Sequence, residues 1–224
     1  MSGLTRRSAL AHRAALEAPG GAAVLRERPF EGKLILRGAL TVVGDPVAGV
    51  LGVTLPAKVY QTAVSARANV QWLSPDEWLI VTPPGAETAL AADLAAALGG
   101  KHAQVVDVSD YYTTIELLGA RAREMLMKIA TVDFDPRAFK PGMCVATNFG
   151  RTVAWARQTG EDGYDLIVRI SMADYLWCLL AEAGHEWGLP AQEPKGGKVK
   201  LHLPHLEADA LSLSGEPAAD LEIT

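Results

Sequence analysis

The chain has 224 residues, 49% of them hydrophobic, and a formal net charge of −5 at pH 7. That length and apolar content can bury one large core or two small joined ones. Lysine and arginine are scattered and form no basic stripe, which excludes a nucleic-acid surface of the usual electrostatic kind. No apolar run has the length of a signal-peptide core or a membrane span, so we expect a cytoplasmic protein. Cys144 and Cys178 form no CxxC pair and are expected to be free thiols.

Residues 1–31 are predicted to form an irregular N-terminal arm. The segment contains a short helix-like piece, ALAHRAALEA, then a Pro-Gly-Gly break and the charged sequence RERPF. Such an arm is ordered only where something holds it. Because arginine and aromatic side chains are favoured at protein interfaces, Arg26, Arg28 and Phe30 are candidates for contact with a partner chain.

Residues 32–100 are predicted to form the first half of a duplicated domain. KLILRGALTVV alternates as a strand does, and Asp45-Pro46 is typical of an N-cap followed by the first turn of a helix. VQWL and WLIVT flank SPDE, a turn sequence between two strands. AETALAADLAAALGG then predicts a helix with three leucines on one face and glycines at its end.

Residues 101–188 repeat this order. YTTIELLG predicts a strand, ARAREMLMKIA a helix, and CVATNFGRTVAWARQ and YDLIVRI two strands joined by the glycine-rich TGEDG. SMADYLWCLLAEAG predicts a closing helix with Ser171 and Asp174 as its capping box. Its predicted apolar stripe contains Met172, Tyr175, Leu176, Leu179, Leu180 and Ala183. Trp177 lies off that stripe, so we expect it to contact another chain.

The order strand–helix–strand–strand–helix therefore occurs twice, and DEWLIV in the first half is echoed by GYDLIV in the second. A repeat of this length is too long for a solenoid. We predict an α+β fold of two ferredoxin-like βαββα halves, each with an antiparallel sheet covered by helices. Residues 189–224 are rich in proline, glycine and charge and are predicted to form a C-terminal tail.

Few groups in the sequence suit catalysis. It has no GxGxxG after a strand, no GxxxxGK[ST] and no GxSxG. Cys144 and Ser109 are the best nucleophile candidates, and His102 with Asp107 would have to complete a triad around Ser109. Asp107, Ser109 and Asp110 lie at the junction of the halves, where a change of backbone direction needs local hydrogen bonds. We favour this structural interpretation and assign no catalytic residue.

Two further features of the sequence could form ligand sites. His202, His205 and Glu207 have the number of ligands that a catalytic zinc needs, but a proline-containing tail is a poor scaffold, and we predict no metal site. The tryptophans offer either a stacking surface for a ring ligand or ordinary packing, which we favour. They are Trp72, Trp78, Trp155, Trp177 and Trp187. No cofactor-binding residue is assigned.

Several segments resemble a known family. DVSDYYTTIELLGARAREMLMKIATVDF is similar to the pattern D-x-S…L-x-G-x-x-A…L…D of the aminomethyltransferase (glycine-cleavage T-protein) superfamily. LRERPFEGKLILRG, WLSPDEWLIV, DVSDYYTTIELLG and YDLIVRISMADYLWCLLAEAG resemble more closely the gamma-subunit family of heterotetrameric sarcosine oxidases. The resemblance runs from about residue 8 to residue 188 and implies the same double ferredoxin-like fold.

The resemblance also implies a function. Complexes of that family contain alpha, beta, gamma and delta subunits and oxidise the N-methyl group of sarcosine to give glycine and hydrogen peroxide. The one-carbon unit leaves as 5,10-methylenetetrahydrofolate or as formaldehyde. FAD, FMN, NAD, zinc and tetrahydrofolate are bound by the other subunits, so the resemblance implies a non-catalytic structural gamma subunit with no cofactor of its own.

Three alternatives remain open from the sequence. The chain could be a stand-alone tetrahydrofolate-binding one-carbon transferase, for which Asp107 is the nearest candidate for a carboxylate that pairs with pterin N–H groups. It could be a folate-type module for iron–sulfur maintenance, although FKPGMCVATNFG lacks that family's paired Gln-Glu. It could also be a gamma-like subunit of a related N-methyl amino-acid oxidase or dehydrogenase. The sequence does not fix the exact N-methylated substrate.

Overall fold

The computed structural model describes residues 6–193, so most of the predicted tail, with His202, His205 and Glu207, lies outside the described residues. The first part of the described chain contains β1 (Leu16–Glu17), β2 (Val24–Arg28), β3 (Gly32–Gly38), α1 (Leu40–Leu51), β4 (Thr62–Val64), β5 (Asn69–Ser74), β6 (Glu77–Thr82), α2 (Glu87–Ala97) and β7 (Ala103–Asp107). The second part contains β8 (Tyr112–Leu118), α3 (Ala122–Ile129), β9 (Cys144–Phe149), β10 (Thr152–Gly160), β11 (Gly163–Arg169) and α4 (Ile170–Ala183).

These strands form two antiparallel sheets with matching strand orders. The five-stranded sheet has the order β4-β5-β6-β3-β7, and the six-stranded sheet has the order β1-β2-β8-β11-β10-β9. Read from its other end, the six-stranded sheet has the order β9-β10-β11-β8-β2-β1. Strand β2 therefore lies beside β8 in the position that β7 takes beside β3. The predicted duplicated α+β fold is confirmed, and the duplication extends to edge strands that the sequence pattern did not show.

Each sheet has one face on an apolar core with two helices. Leu34, Leu36, Val70, Trp78 and Ile80 of the five-stranded sheet pack with the buried stripes of α1 and α2. In the six-stranded sheet, Leu25, Ile115, Leu117, Tyr164, Leu166 and Val168 pack with residues of α3 and α4. Because side chains alternate along a strand, the opposite faces of both sheets point away from the helices.

The opposite faces of the two sheets approach each other. Asn69, Gln71 and Val81 of the five-stranded sheet line the same cavity as Asp165 and Ile167 of the six-stranded sheet. The sheets are also joined at one edge, where Gln61 bridges Met143 and the Cys144 N–H donates to the Tyr60 carbonyl at 2.9 Å. The layers therefore follow the order helix, sheet, sheet, helix.

The N-terminal segment is not irregular throughout, contrary to the sequence-based expectation. Strand β2 pairs with β8 in the register Leu25↔Leu117 and Arg26↔Glu116, and Leu25 is fully buried. The sequence did not predict this strand because VLRER contains three charged residues. In the structure one face of β2 packs on the apolar core and the other carries the two arginines.

Two predicted helix starts were wrong. Helix α1 begins at Leu40, and Pro46 lies inside it, so Asp45 is not its N-cap. Helix α4 begins at Ile170 after Arg169, which supplies no side-chain cap, and the Ser171–Asp174 capping box does not form. Asp174 instead contacts His12 and Arg13, with Arg13 Nε donating to Asp174 Oδ1 at 2.8 Å.

The predicted external role of Trp177 was also wrong. Its side chain is 1% exposed and belongs to the core of the six-stranded sheet. The buried face of α4 is rotated relative to the predicted apolar stripe. Met172, Tyr175 and Leu179 of that stripe are therefore only half-buried. The core-facing residues are Ala173, Leu176, Trp177, Leu180, Ala181 and Ala183.

Most of the remaining predicted elements agree with the structure. SPDE connects β5 to β6 with Trp72 directly opposite Trp78, and Leu90 and Leu94 form the buried side of α2. CVATNFGRTVAWARQ forms two strands instead of one, because the chain turns at Gly150, which has a φ of 56°.

The burial of Leu25 gives a test of the N-terminal strand. Leu25→Ala should lower the free energy of unfolding by about 2–5 kcal/mol, because it leaves a cavity beside Leu117 in the core. Urea unfolding measures this change. Glu17→Ala, at an exposed residue of β1, is the control and should change stability by less than about 0.5 kcal/mol. Equal effects of the two substitutions would contradict the pairing of β2 with β8.

Candidate functional site between the two sheets

The densest group of ionisable side chains lies between the sheets. Ile115 and Leu117 of β8 face the helices, so strand alternation turns Thr114 and Glu116 toward the opposite sheet. On β11 the same alternation turns Asp165 inward between apolar neighbours. The resulting inter-sheet ion cluster consists of Arg26, Arg28, Glu31, Lys33, Glu116, Arg157 and Asp165.

Asp165 is the most enclosed carboxylate of this cluster, with 2% of the residue exposed. Its Oδ2 accepts a hydrogen bond from Arg157 Nη2 at 2.7 Å and lies 2.8 Å from Arg28 Nη2. Arg157 is its direct partner across β10 and β11, whereas Arg28 comes from β2. A buried charge is tolerated only when paired, and here two guanidinium groups pair one carboxylate.

Arg28 connects Asp165 to the other acids of the cluster. Its Nη1 lies 3.5 Å from Glu116 Oε1, and its Nε lies 3.2 Å from Glu31 Oε1. Glu116 also accepts a hydrogen bond from Arg26. Burial opposes the charge of Arg28, but the nearby carboxylates of Asp165 and Glu31 outweigh it and raise the pKa of the guanidinium.

Lys33 brings the five-stranded sheet into the cluster. This lysine of β3 is 1% exposed, and its Nζ donates to the Glu31 carbonyl at 3.3 Å and lies 3.8 Å from Glu31 Oε2. Burial lowers the pKa of Lys33 more than the Glu31 carboxylate raises it. Thr114 of the six-stranded sheet donates to the same carboxylate at 2.6 Å, so Glu31 joins the two sheets.

A cavity of about 240 Å³ adjoins the ion cluster. Its charged and amide lining consists of Arg28, Glu31, Arg67, Asn69, Gln71, Arg157 and Asp165. Within residues 6–193, five lining groups contain buried polar atoms without a hydrogen-bond partner: Arg28 Nε, the Asn69 amide, Gln71 Oε1, Arg157 Nε and Asp165 Oδ1. Both donors and acceptors therefore remain unpaired around the cavity.

Asp107 and Ser109 form a local hydrogen-bonded turn and lie outside this cavity. The Ser109 hydroxyl and N–H both donate to Asp107 Oδ1, at 2.5 and 2.9 Å, and Ser109 Oγ accepts from the Lys33 N–H at 2.9 Å. His102 precedes β7 whereas Ser109 follows it, and a five-residue strand separates its ends by roughly 13–16 Å. No triad is assembled from Ser109, His102 and Asp107, and exposed Asp110 pairs with Arg6.

Neither cysteine has the environment of a nucleophile. Cys144 is buried on β9, its thiol donates to the Gln61 carbonyl at 3.4 Å, and burial raises the pKa of this thiol to about 11. Burial also raises the pKa of Cys178, although Arg13 opposes the shift. Reactive thiols have lowered pKa values, so both cysteines are unsuited to nucleophilic catalysis at neutral pH.

The tryptophans do not form one stacking surface. Trp78 is buried with its Nε1 donating to the Pro56 carbonyl at 2.8 Å, and Trp177 is buried in the other core. Trp155 packs edge-on against Tyr112 with ring centroids 4.8 Å apart, and Lys128 Nζ lies 4.1 Å from the ring centroid of half-buried Trp187. At these four tryptophans the contacts are those of ordinary packing.

Residues 6–193 contain no group of three or more His, Cys, Asp or Glu residues placed to hold a metal ion. No helix among them is long and apolar enough to cross a membrane.

The sequence reasoning missed Glu116, Arg157 and Asp165. The signal was a charge next to apolar residues within a strand: TTIELLG for Glu116, TVAWARQ for Arg157 and YDLIVRI for Asp165. In a strand covered by helices on one face, such a charge indicates that the other face has a polar neighbour.

The described chain consists of two βαβββα halves whose sheets face each other, which defines a duplicated α+β module. Consistent with this class, the chain has the fold of aminomethyltransferase T of the glycine cleavage system from Bartonella henselae, with a TM-score of 0.57 and 18% sequence identity. The match covers 77% of this chain and 47% of that chain.

More similar relatives identify the family. A family model described as the sarcosine oxidase, gamma subunit family matches residues 39–186. Sarcosine oxidase subunit gamma from Arthrobacter sp. is 35% identical over 190 residues, which cover 83% of this chain and 93% of that protein. A chain of heterotetrameric sarcosine oxidase from Corynebacterium sp. U-96, solved in complex with pyrrole 2-carboxylate, matches with a TM-score of 0.76 and 31% identity, covering 84% of this chain and 99% of that chain. The chain belongs to the sarcosine oxidase gamma subunit family, and the resemblance seen in its sequence is confirmed.

The high pKa of Cys144 predicts an inert thiol in the folded protein. At pH 8 about 0.1% of a thiol with a pKa near 11 is ionised, against roughly a quarter of an unperturbed one. Iodoacetamide should therefore leave Cys144 unmodified in the native chain and alkylate it in urea, as measured by peptide mass spectrometry. Rapid alkylation of native Cys144 would contradict its assignment as a structural residue.

Proposed function

We propose that this chain is a non-catalytic, structural gamma subunit of a heterotetrameric sarcosine oxidase. That complex would oxidatively demethylate sarcosine to glycine, with hydrogen peroxide and 5,10-methylenetetrahydrofolate or formaldehyde as co-products. The observation that carries the proposal is the family match, because it spans 93% of the Arthrobacter sp. gamma subunit and 99% of the matched Corynebacterium chain.

The chemistry of the described residues supports a structural role. The carboxylates between the sheets are already paired with the chain's own cations, and burial raises the pKa of both cysteines. We therefore place the reaction, with FAD, FMN, NAD, zinc and tetrahydrofolate, on alpha, beta and delta subunits in the cytoplasm, as the family resemblance implies. In this proposal the chain has an N-terminal arm (1–31), a duplicated domain (32–188) and a tail (189–224). The duplicated domain would contribute its shape to the complex.

An exposed aromatic surface suits contact with another subunit. Tyr111 is 49% exposed, and its ring packs against Tyr112 at 4.7 Å and lies 5.6 Å from the Arg169 guanidinium. Tyr112 in turn packs against Trp155 of β10, and exposed Val153 lies on the same face of β10 as Trp155. Tyrosine, tryptophan and arginine are enriched at the energetic centres of interfaces, so we propose that this aromatic surface binds a partner subunit, alongside Arg26 and Phe30 of the N-terminal segment. Arg28, the third residue predicted to contact a partner, instead binds Asp165 of this chain.

Co-expression with alpha-like, beta-like and delta-like chains tests the subunit proposal. The tagged chain should co-purify with all three, and Tyr111→Ala should weaken the association roughly 30-fold or more if Tyr111 is an interface anchor. Dilution followed by size-exclusion chromatography with light scattering measures both effects. Met127→Ala, on α3 and equally exposed at 49%, is the matched control. A chain that stays monomeric with all three partners present would refute the proposal.

A further inference from the structure

We propose that the cavity between the sheets is closed to folate because the chain's own arginines occupy its buried carboxylate. This inference rests on the proposed function and deepens it, since it gives a physical reason why an aminomethyltransferase-like module would carry no cofactor. The residues concerned are Asp165, which lines the cavity, and Arg28 and Arg157, which bind it.

Recognition of a pterin ring requires a carboxylate that accepts hydrogen bonds from adjacent N–H groups of the ring. Asp165 is the carboxylate best placed for this inside the cavity, but Oδ2 is already shared by the two guanidinium groups at 2.8 and 2.7 Å. Its Oδ1 is buried and accepts no hydrogen bond. A ring approaching with N–H donors would meet a carboxylate already bound by the guanidinium donors of Arg28 and Arg157.

The balance of charge leads to the same conclusion. The inter-sheet ion cluster contains four cations, Arg26, Arg28, Lys33 and Arg157, and three carboxylates, each of which contacts at least one cation. Freeing Asp165 for a ligand would leave two half-buried guanidinium groups without a counter-charge that they share, which is unfavourable.

The cavity is also small. Its volume of about 240 Å³ lies below the range of roughly 300–1,000 Å³ that is usual for sites of drug-sized ligands. Tetrahydrofolate would fit only if lining side chains moved, and two of the three lining arginines, Arg28 and Arg157, are held by Asp165.

The N-terminal segment supplies the decisive arginine. Arg28 ends β2, and β2 is held against β8 through Leu25, which is buried opposite Leu117. The backbone of the strand therefore fixes Arg28 beside Asp165, and Glu31 holds its Nε at 3.2 Å from the other side. Because Arg28 is already held in place, it loses little further conformational freedom when it binds Asp165. It therefore competes effectively with an external ligand for the Asp165 carboxylate.

Titration of the full chain with tetrahydrofolate, together with urea unfolding, tests this inference. The wild-type chain should give no saturable heat in calorimetry with ligand up to about 1 mM, since millimolar binding is already as weak as about −4 kcal/mol. Asp165→Ala should reduce the folding equilibrium constant roughly 100- to 1,000-fold, because it leaves Arg28 and Arg157 without the carboxylate that both bind. Arg28→Ala should reduce it less, because Arg157 still pairs with Asp165. The triple variant Arg28→Met, Arg157→Met, Asp165→Leu should lie within about tenfold of the wild type, since an apolar replacement leaves no unpaired charge.

Arg67→Ala is the matched control. Arg67 lines the same cavity, but its guanidinium binds outward to Asp93 at 2.5 Å and to the Val50 carbonyl at 2.9 Å. As a half-exposed ion pair it should change the folding constant by less than about fivefold.

Two results would overturn the inference: saturable tetrahydrofolate binding by the wild type that Asp165→Ala abolishes, or an effect of Asp165→Ala no larger than that of Arg67→Ala. Neither result bears on whether the chain co-purifies with partner subunits. The subunit proposal and the closed cavity can therefore fail separately.

Discussion

The structure depends on one constraint, that carboxylates enclosed between two sheets must be paired. Glu31 accepts from Thr114 of the six-stranded sheet, contacts Lys33 of the five-stranded sheet and lies 3.2 Å from Arg28 of the N-terminal strand. Asp165 binds the same arginine at 2.8 Å. Removing Asp165 would leave Arg28 and Arg157 without the carboxylate that they share, so this cluster fixes how the halves meet.

Because the charges are paired between the sheets, different parts of the chain have different roles. The helices cover the apolar faces, the ion cluster fills the space between the sheets, and the aromatic surface around Tyr111 stays available at the outside. A module whose internal charges neutralise one another offers partners a rigid shape and little reactivity. That division is consistent with membership in a gamma-subunit family, and it explains why similarity in fold to an aminomethyltransferase need not bring similar chemistry.

Local patterns in the sequence predicted most of the fold. The SPDE turn and the leucines of α2 were identified because hydrophobic period and turn chemistry agree there. The strand at Val24–Arg28 was not, because its charged side faces other charges across the sheet and a tertiary partner is invisible to a local pattern. Trp177 was misplaced for a related reason: which side of an almost wholly apolar helix is buried depends on the sheet beneath it. Of the candidate site, the sequence singled out only Arg26 and Arg28, and as partner contacts, since Asp165, Arg157 and Arg28 are brought together by register and not by spacing.

Steady-state kinetics of an assembled complex would test the central claim most directly. The complex would contain this chain with its cavity charges replaced, Arg28→Met, Arg157→Met and Asp165→Leu, beside unaltered partner subunits. The account predicts that kcat and KM for sarcosine, and the yield of methylenetetrahydrofolate, equal those of the complex with the wild-type chain. A large fall in kcat from a complex that assembles with full stoichiometry would show that these side chains take part in the chemistry, and would contradict the account.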